Sequence, residues 1–267
     1  MEEIYRVGGR LDLVVTLRDD LATRKSGRVY LEDFCRTHGI DLVKIRHIND
    51  PDALAAVREA ALDWLFIIGW SQIAGPEVLQ LPREGVLGMH PTLLPQGRGR
   101  AAIPWAILKG LPETGVTLFQ LDEGVDTGPI IARKVLPIAS VETATTLYER
   151  MADGHRSLIG RVWPDLLSGN VERRIQDESR ATIWPGRTPA DGEITPEMTV
   201  AEVERLVRAT TPPYPGAFWK SGSEVIRIWA GRPGNGLTAA AGAYRVRLVD
   251  GVYDAINYVR AAAAGQA

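Results

Sequence analysis

The chain has 267 residues, 45% hydrophobic and 24% charged, with a formal charge of −2, the profile of a soluble protein with one large domain and room for a smaller one. Its single cysteine, Cys35, excludes an internal disulfide and a cysteine-rich zinc site and fits a reducing cytoplasm. The balanced charge disfavours nucleic acid as a partner, no apolar run reaches the roughly 18 residues of a membrane span, and no signal-peptide pattern opens the chain.

The first residues, MEEIYRVGG, have the pattern of a helix closed by Gly8 or Gly9. LDLVVTL (11–17), LVKIR (42–46), WLFIIG (64–69) and GVLGMH (85–90) are short and nearly all apolar, as strands covered on both faces are. Between them lie YLEDFCRTHG and, after the cap candidates Asn49 and Asp50, DALAAVREA, both with helical spacing. This alternation predicts right-handed crossovers and a Rossmann-like, mostly parallel α/β sheet. In a doubly wound fold a strand precedes such an opening helix, so a start upstream of Met1 is expected. GVTLFQL (115–121) and IIARKVLPI (130–138) follow as strands, and a long helix runs from about Ala144 to Leu167. Residues 1–167 are thus expected to form the main domain. The Gly-, Pro-, Arg- and Asp-rich stretch 168–196 is an ordered connecting segment. Residues 197–267 form a small α+β region built from the helix VAEVERLVRATT and strands such as VIRIWAG and AYRVRLV.

Two segments concentrate chemistry. GMHPTLLPQGRGRAAIPWAILKG (88–110) puts His90 at the carboxyl end of a buried strand, the end outside which ligands bind in open α/β sheets. LDEGVDTGPI (121–130) supplies Asp122, Glu123 and Asp126 in a Gly-punctuated loop between strands. Taken singly, His90 is as readily structural as catalytic, and the acidic loop reads as a solvated turn. Together a His and an Asp could form an imidazole–carboxylate pair in which the acid orients the base. No G-x-S-x-G elbow accompanies them, and His38, His47, His90 and His155 lack metal-ligand spacing.

At HPTLLP and RGRAAIPWAI (90–107), TGVTLFQLDEGVDTGPII (114–131), PADGEIT (189–195) and VRATTPPYPGAF (207–218) the chain resembles the folate-dependent formyltransferase family. Its members act on glycinamide ribonucleotide, methionyl-tRNA or nucleotide sugars, and the element around Tyr214, Pro215 and Gly216 is most similar to the tRNA and sugar branches. The resemblance implies transfer of a formyl group from 10-formyltetrahydrofolate to an amine, with no metal. It implies that His90 stabilises the oxyanion or protonates the leaving folate nitrogen, and that Asp126 orients His90 and helps to accept the amine proton. It assigns the folate pocket to Trp70, Ser71, Gln72 and Ile73 after the third visible strand and to Leu93, Leu94 and Pro95 after the histidine, with Arg98 and Gly99 shaping the same cleft. By themselves Trp70 would also read as a core aromatic and Arg98 as a surface ion pair.

The family carries an Asn two residues before the histidine, where this chain has Gly88. Losing one oxyanion donor costs about 100- to 1000-fold in rate unless another group substitutes, and Gly88 allows close backbone approach. The expected acceptor is a small amine, on a nucleotide-linked amino sugar or a specialised metabolite. Arg187, Arg208 and Arg227 are candidates to meet substrate phosphates, and the short C-terminal region could mediate a homodimer. The alternatives are a methionyl-tRNA formyltransferase-like enzyme and a catalytically inactive folate-binding protein.

Overall fold

A computed structural model gives the fold and describes residues 1–22, 29–235, 238, 239 and 241–262. The elements up to the histidine are α1 (Glu2–Arg6), β1 (Leu13–Leu17), α2 (Asp19–Ala22), α3 (Glu32–His38), β2 (Asp41–Ile45), α4 (Pro51–Glu59), β3 (Trp64–Ile68), α5 (Pro76–Gln80) and β4 (Gly85–His90). Next come β5 (Arg98–Gly99), α6 (Ala102–Leu108), β6 (Glu113–Gln120), β7 (Ile130–Pro137) and α7 (Ala144–Ser168). The remainder comprises two 3-10 turns, β8 (Ile183–Trp184), β9 (Glu193–Ile194), α8 (Val200–Ala209), β10 (Ala217–Ser221), β11 (Glu224–Pro233), β12 (Tyr244–Leu248) and β13 (Gly251–Ala262). They fall into two compact units: residues 1–99, 115–136 and 151–183, and residues 100–114, 137–150 and 184–267.

In the first unit β1 and β2 pair in parallel, and β3, β4, β6 and β7 form a sheet in that order. The expected parallel pairing holds for β3 and β4, and the direction reverses at β6, which runs antiparallel to β4. α4 starts after Asp50 and on Pro51, a residue whose missing N–H costs nothing in a helix's first turn. Its Ala53 joins Ile45, Ile48 and Val78 in one core cluster, on which Val15 and Val43 of the β1–β2 pair and Leu65 and Ile67 of β3 also pack. Cys35 of α3 is buried with Val14 and Ile40 in another. β4 is buried along its whole length, whereas every residue of β3 retains some exposure.

The second unit is a five-stranded sheet, β12-β13-β11-β10-β9, covered by α8. Thr199 and Glu202 close a capping box that starts α8: each side chain accepts from the other residue's backbone N–H. Val203, Leu206 and Val207 then recur at helical spacing and bury against Ile226, Ile228, Val246, Tyr253 and Ala255. The cross-strand pair Arg245 and Asp254 is bonded twice, at 2.7 and 2.9 Å, with Asp254 only 3% exposed. Arg187, Arg208 and Arg227 all belong to this unit and donate to the carbonyls of Asp191, Glu142 and Pro215. Their guanidinium groups are therefore partly committed within the protein.

No helix among the described residues is long and apolar enough to cross a membrane.

Candidate active site

β4 delivers His90 as its last residue, opposite Thr117 of β6. The loop that follows is held from beneath: Thr117 donates its hydroxyl to the Thr92 carbonyl at 2.7 Å and accepts the Leu94 N–H at 3.1 Å. The chain thereby turns back, bringing the Gly97 carbonyl to 2.7 Å from His90 Nε2. A carbonyl can only accept, so Nε2 carries the hydrogen.

The other ring nitrogen, Nδ1, lies 3.5 Å from Asp126 Oδ2, slightly beyond a direct N–H···O hydrogen bond of about 2.7–3.2 Å. With the hydrogen on Nε2, Nδ1 is the ring nitrogen that faces the Asp126 carboxylate. Both side chains are largely buried, 10% exposed for His90 and 17% for Asp126. Asp126 Oδ2 is fixed by the Gly99 N–H at 2.8 Å; among the described residues nothing donates to Oδ1.

Asp126 sits in the left-handed region at φ 56°, which Asp tolerates better than most side chains. The loop around it is tightly drawn. Asp122 Oδ1 accepts from the Gly124 N–H and the Thr127 hydroxyl. A Cβ at position 128 would collide with the Gln120 carbonyl, so only glycine fits there. Asp122 is therefore the brace of its own turn, and Glu123 is exposed.

The structure divides the remaining sequence-predicted residues by their surroundings. Trp70 packs on the α4 core cluster, yet its indole N–H is buried without a partner, a donor that a bound ligand could satisfy. Ile73 is 66% exposed, an apolar side chain open to a ligand's ring. Gln72 instead ties its loop to the chain after β2, accepting the Ile48 N–H and donating to the Arg46 carbonyl. Asn49 does the same from the other side, accepting from Gly75 and donating to Ile73. Ser71 lies between these anchors. Leu94 is wholly buried against Phe119 and Ile130 and Pro95 is buried too, while Leu93 keeps partial exposure. The loop thus offers apolar surface at Ile73 and Leu93, which fits a flat heterocycle.

Arg98 is 5% exposed and its guanidinium is taken up by protein groups. It donates to Gln176 Oε1 and, through both terminal nitrogens, to Glu178. Gln176 itself was not anticipated from the sequence: within RRIQDES no spacing or composition distinguishes it.

Gly88, two residues before His90 and across from Phe119, is closely flanked by side chains. A Cβ there would lie 2.9 Å from a Leu121 methyl and 3.1 and 3.2 Å from the Phe119 ring.

The family model described as formyl transferase matches residues 13–162, and that described as formyl transferase, C-terminal domain, matches residues 187–252. Among solved structures, a variant of HypX from Aquifex aeolicus superposes with a TM-score of 0.71 at 19% identity, over 96% of this chain and 48% of that one. This chain spans about half the length of the HypX chains it matches. Methionyl-tRNA formyltransferase from Clostridium thermocellum gives 0.63 at 18% identity, over 95% and 100% of the two chains. An N-formyltransferase from Helicobacter canadensis, solved with folinic acid and dTDP-3-aminofucose, gives 0.71 at 18%, over 97% and 94%.

Proposed function

The chain belongs to the formyl transferase family, and from that premise we propose that it moves a formyl group from 10-formyltetrahydrofolate to a primary amine of a small substrate. The observation that carries the reading is the His90–Asp126 pair at the carboxyl end of β4, within the span the family model matches. When bound, the folate supplies the formyl carbon that the amine attacks. Asp126 Oδ1, which no described residue engages, takes the amine's proton. Oδ2 lies beside Nδ1 and orients His90, which hands a proton on to the leaving nitrogen. The exposed Ile73 packs on the heterocycle, Leu93 extends that apolar surface, and Trp70 backs the loop from the core side.

A nucleotide-linked amino sugar or a specialised-metabolite amine is the favoured acceptor. The formal charge of −2 argues against tRNA, whose binding rests on phosphate neutralisation. The likeness to a protein solved with dTDP-3-aminofucose supports the sugar. We read residues 1–167 as the part that performs the chemistry.

The test is tetrahydrofolate release on mixing the protein with 10-formyltetrahydrofolate and a panel of nucleotide amino sugars and simple amines. His90→Ala and Asp126→Asn are each expected to lose about 100-fold or more, the usual worth of a positioned acid or base. Undiminished turnover in both variants would refute the assignment. One observation favours a second reading, a folate-binding protein without turnover: the room beside Gly88 is filled by Phe119 and Leu121. Tight folate binding with no amine-dependent release across the panel would support it.

A further inference from the structure

Gln176 lies in the stretch after α7, fifty positions from Asp126, yet it is 5% exposed and every hydrogen-bonding site of its amide is used. Nε2 donates to the Asp126 carbonyl at 2.8 Å and to the Gly128 carbonyl at 2.7 Å. Oε1 accepts from Arg98 Nε at 3.2 Å and Nη2 at 2.8 Å. The partners fix the amide's orientation, because a flipped group would face two carbonyls with its oxygen and a guanidinium with its NH2. Arg98 is itself anchored by Glu178 at 2.6 and 2.9 Å, and its backbone N–H donates to the Thr182 carbonyl. The stretch is pinned at its near end by reciprocal backbone bonds between Ile130 and Arg174.

This amide grips the two backbone segments whose meeting makes the site. One is the 126–128 turn, in which Asp126 holds a left-handed φ of 56°. The other, through Arg98, is the strand whose next residue, Gly99, donates to the Asp126 carboxylate. We propose that Gln176 is a positioning residue. With Arg98 as its anchor it holds the strained Asp126 backbone so that the carboxylate faces His90 Nδ1. The role in turnover rests on the formyl-transfer reading above; the clamp itself does not. Without it, Asp126 relaxes toward ordinary backbone geometry and its carboxylate leaves both Gly99 and His90. A displacement of about 1 Å in such a pair costs about 100-fold in rate.

Gln176→Glu is the informative variant. It keeps an acceptor for the buried guanidinium, while the ionised carboxylate sets an oxygen against the Asp126 and Gly128 carbonyls in place of both donors to the turn. Gln176→Leu is the backup that removes every bond. The first measurement needs no substrate: amide exchange at Gly99, whose N–H reports the Asp126 contact. Exchange should accelerate at least 10-fold in Gln176→Glu and by a similar factor in Asp126→Ala, while the amides of Leu87 and Met89 in β4 stay protected. Wild-type protection of Gly99 in both Gln176 variants would overturn the proposal.

The second measurement is turnover. Gln176→Glu should lower kcat by about 10- to 100-fold with the donor KM within about twofold. Added to Asp126→Asn it should slow the enzyme no further, as two residues acting through one geometry do. A full additional loss on top of Asp126→Asn would overturn the positioning role. An unimpaired Asp126→Asn would instead sink the catalytic reading and leave the clamp to be judged on exchange alone.

Discussion

His155 offers a prediction that can be worked from the structure. It lies on α7 next to Gly154, whose missing side chain lets the helix approach Val116 of β6. Its Nε2 is buried without a hydrogen-bond partner, and burial pushes its pKa down from 6.5 to about 4. A depressed imidazole is protonated in the unfolded chain before it is protonated in the folded one. Stability is therefore whole above pH 6.5 and drains as the pH falls toward 4. For a shift of that size the loss comes to about 2 kcal/mol between pH 7.5 and 5.0, and about 3 kcal/mol by pH 4. Most carboxylates stay ionised at pH 5.0, so that point isolates the histidine. His155→Met fills the space with a flexible apolar chain that suits a helix. In urea melts at the two pH values, the variant should lose about 2 kcal/mol less than wild type. Parallel losses in the two proteins would show that the ring is solvated and the reasoning wrong.

Three further outcomes follow from packing. Gly88→Asn should destabilise the protein by about 1–3 kcal/mol, the cost of overfilling a packed site, and should not raise turnover; a chemical melt and the folate-release assay read both effects. Asp254→Ala removes two bonds to the Arg245 guanidinium and leaves a gap at a side chain only 3% exposed, and calorimetry of the full chain should report a loss of about 3 kcal/mol. Asn49→Ala removes two bonds from the 70–75 loop. Its amides, Gly75 foremost, should exchange about 10-fold faster while β4 is unchanged; equal protection would mean that Gln72 suffices alone.

The elements that the sequence made legible are those whose pattern is local. The apolar runs that form β1 to β4, β6 and β7 are legible to within a residue or two as short apolar segments bounded by turns, although only β4 is buried along its whole length and β2, β3 and β7 are less covered than their composition implies. α7 and α8 are legible as long stretches with helical spacing of apolar residues, whereas the box that starts α8 shows only in the structure. β10 and β13 went unnoticed: AFWKS follows a Pro-rich turn, and the alternation of GVYDAINYVRAA fades into an alanine-rich end. In the site, His90 and Asp126 were visible because each lies in a dense, Gly-punctuated loop after a strand, and their meeting could be guessed from topology. What stayed hidden were contacts made at long range. Gln176 sits fifty residues from the turn it holds, and Leu94 shows its burial only once Phe119 and Ile130 surround it. Arg98 looked like a cleft residue until Glu178 and Gln176 closed on it.

The packing around Gly88 also bears on how such a site can change over generations. Phe119 and Leu121 occupy the volume that a side chain at 88 would claim, so the three positions are no longer independent. A larger residue at 88 fits only as the Leu121 methyl and the Phe119 ring give way by a few tenths of an ångström, so its cost is set by how freely those two side chains shift. The residues at 119 and 121 therefore decide what position 88 can carry, although neither touches it in sequence.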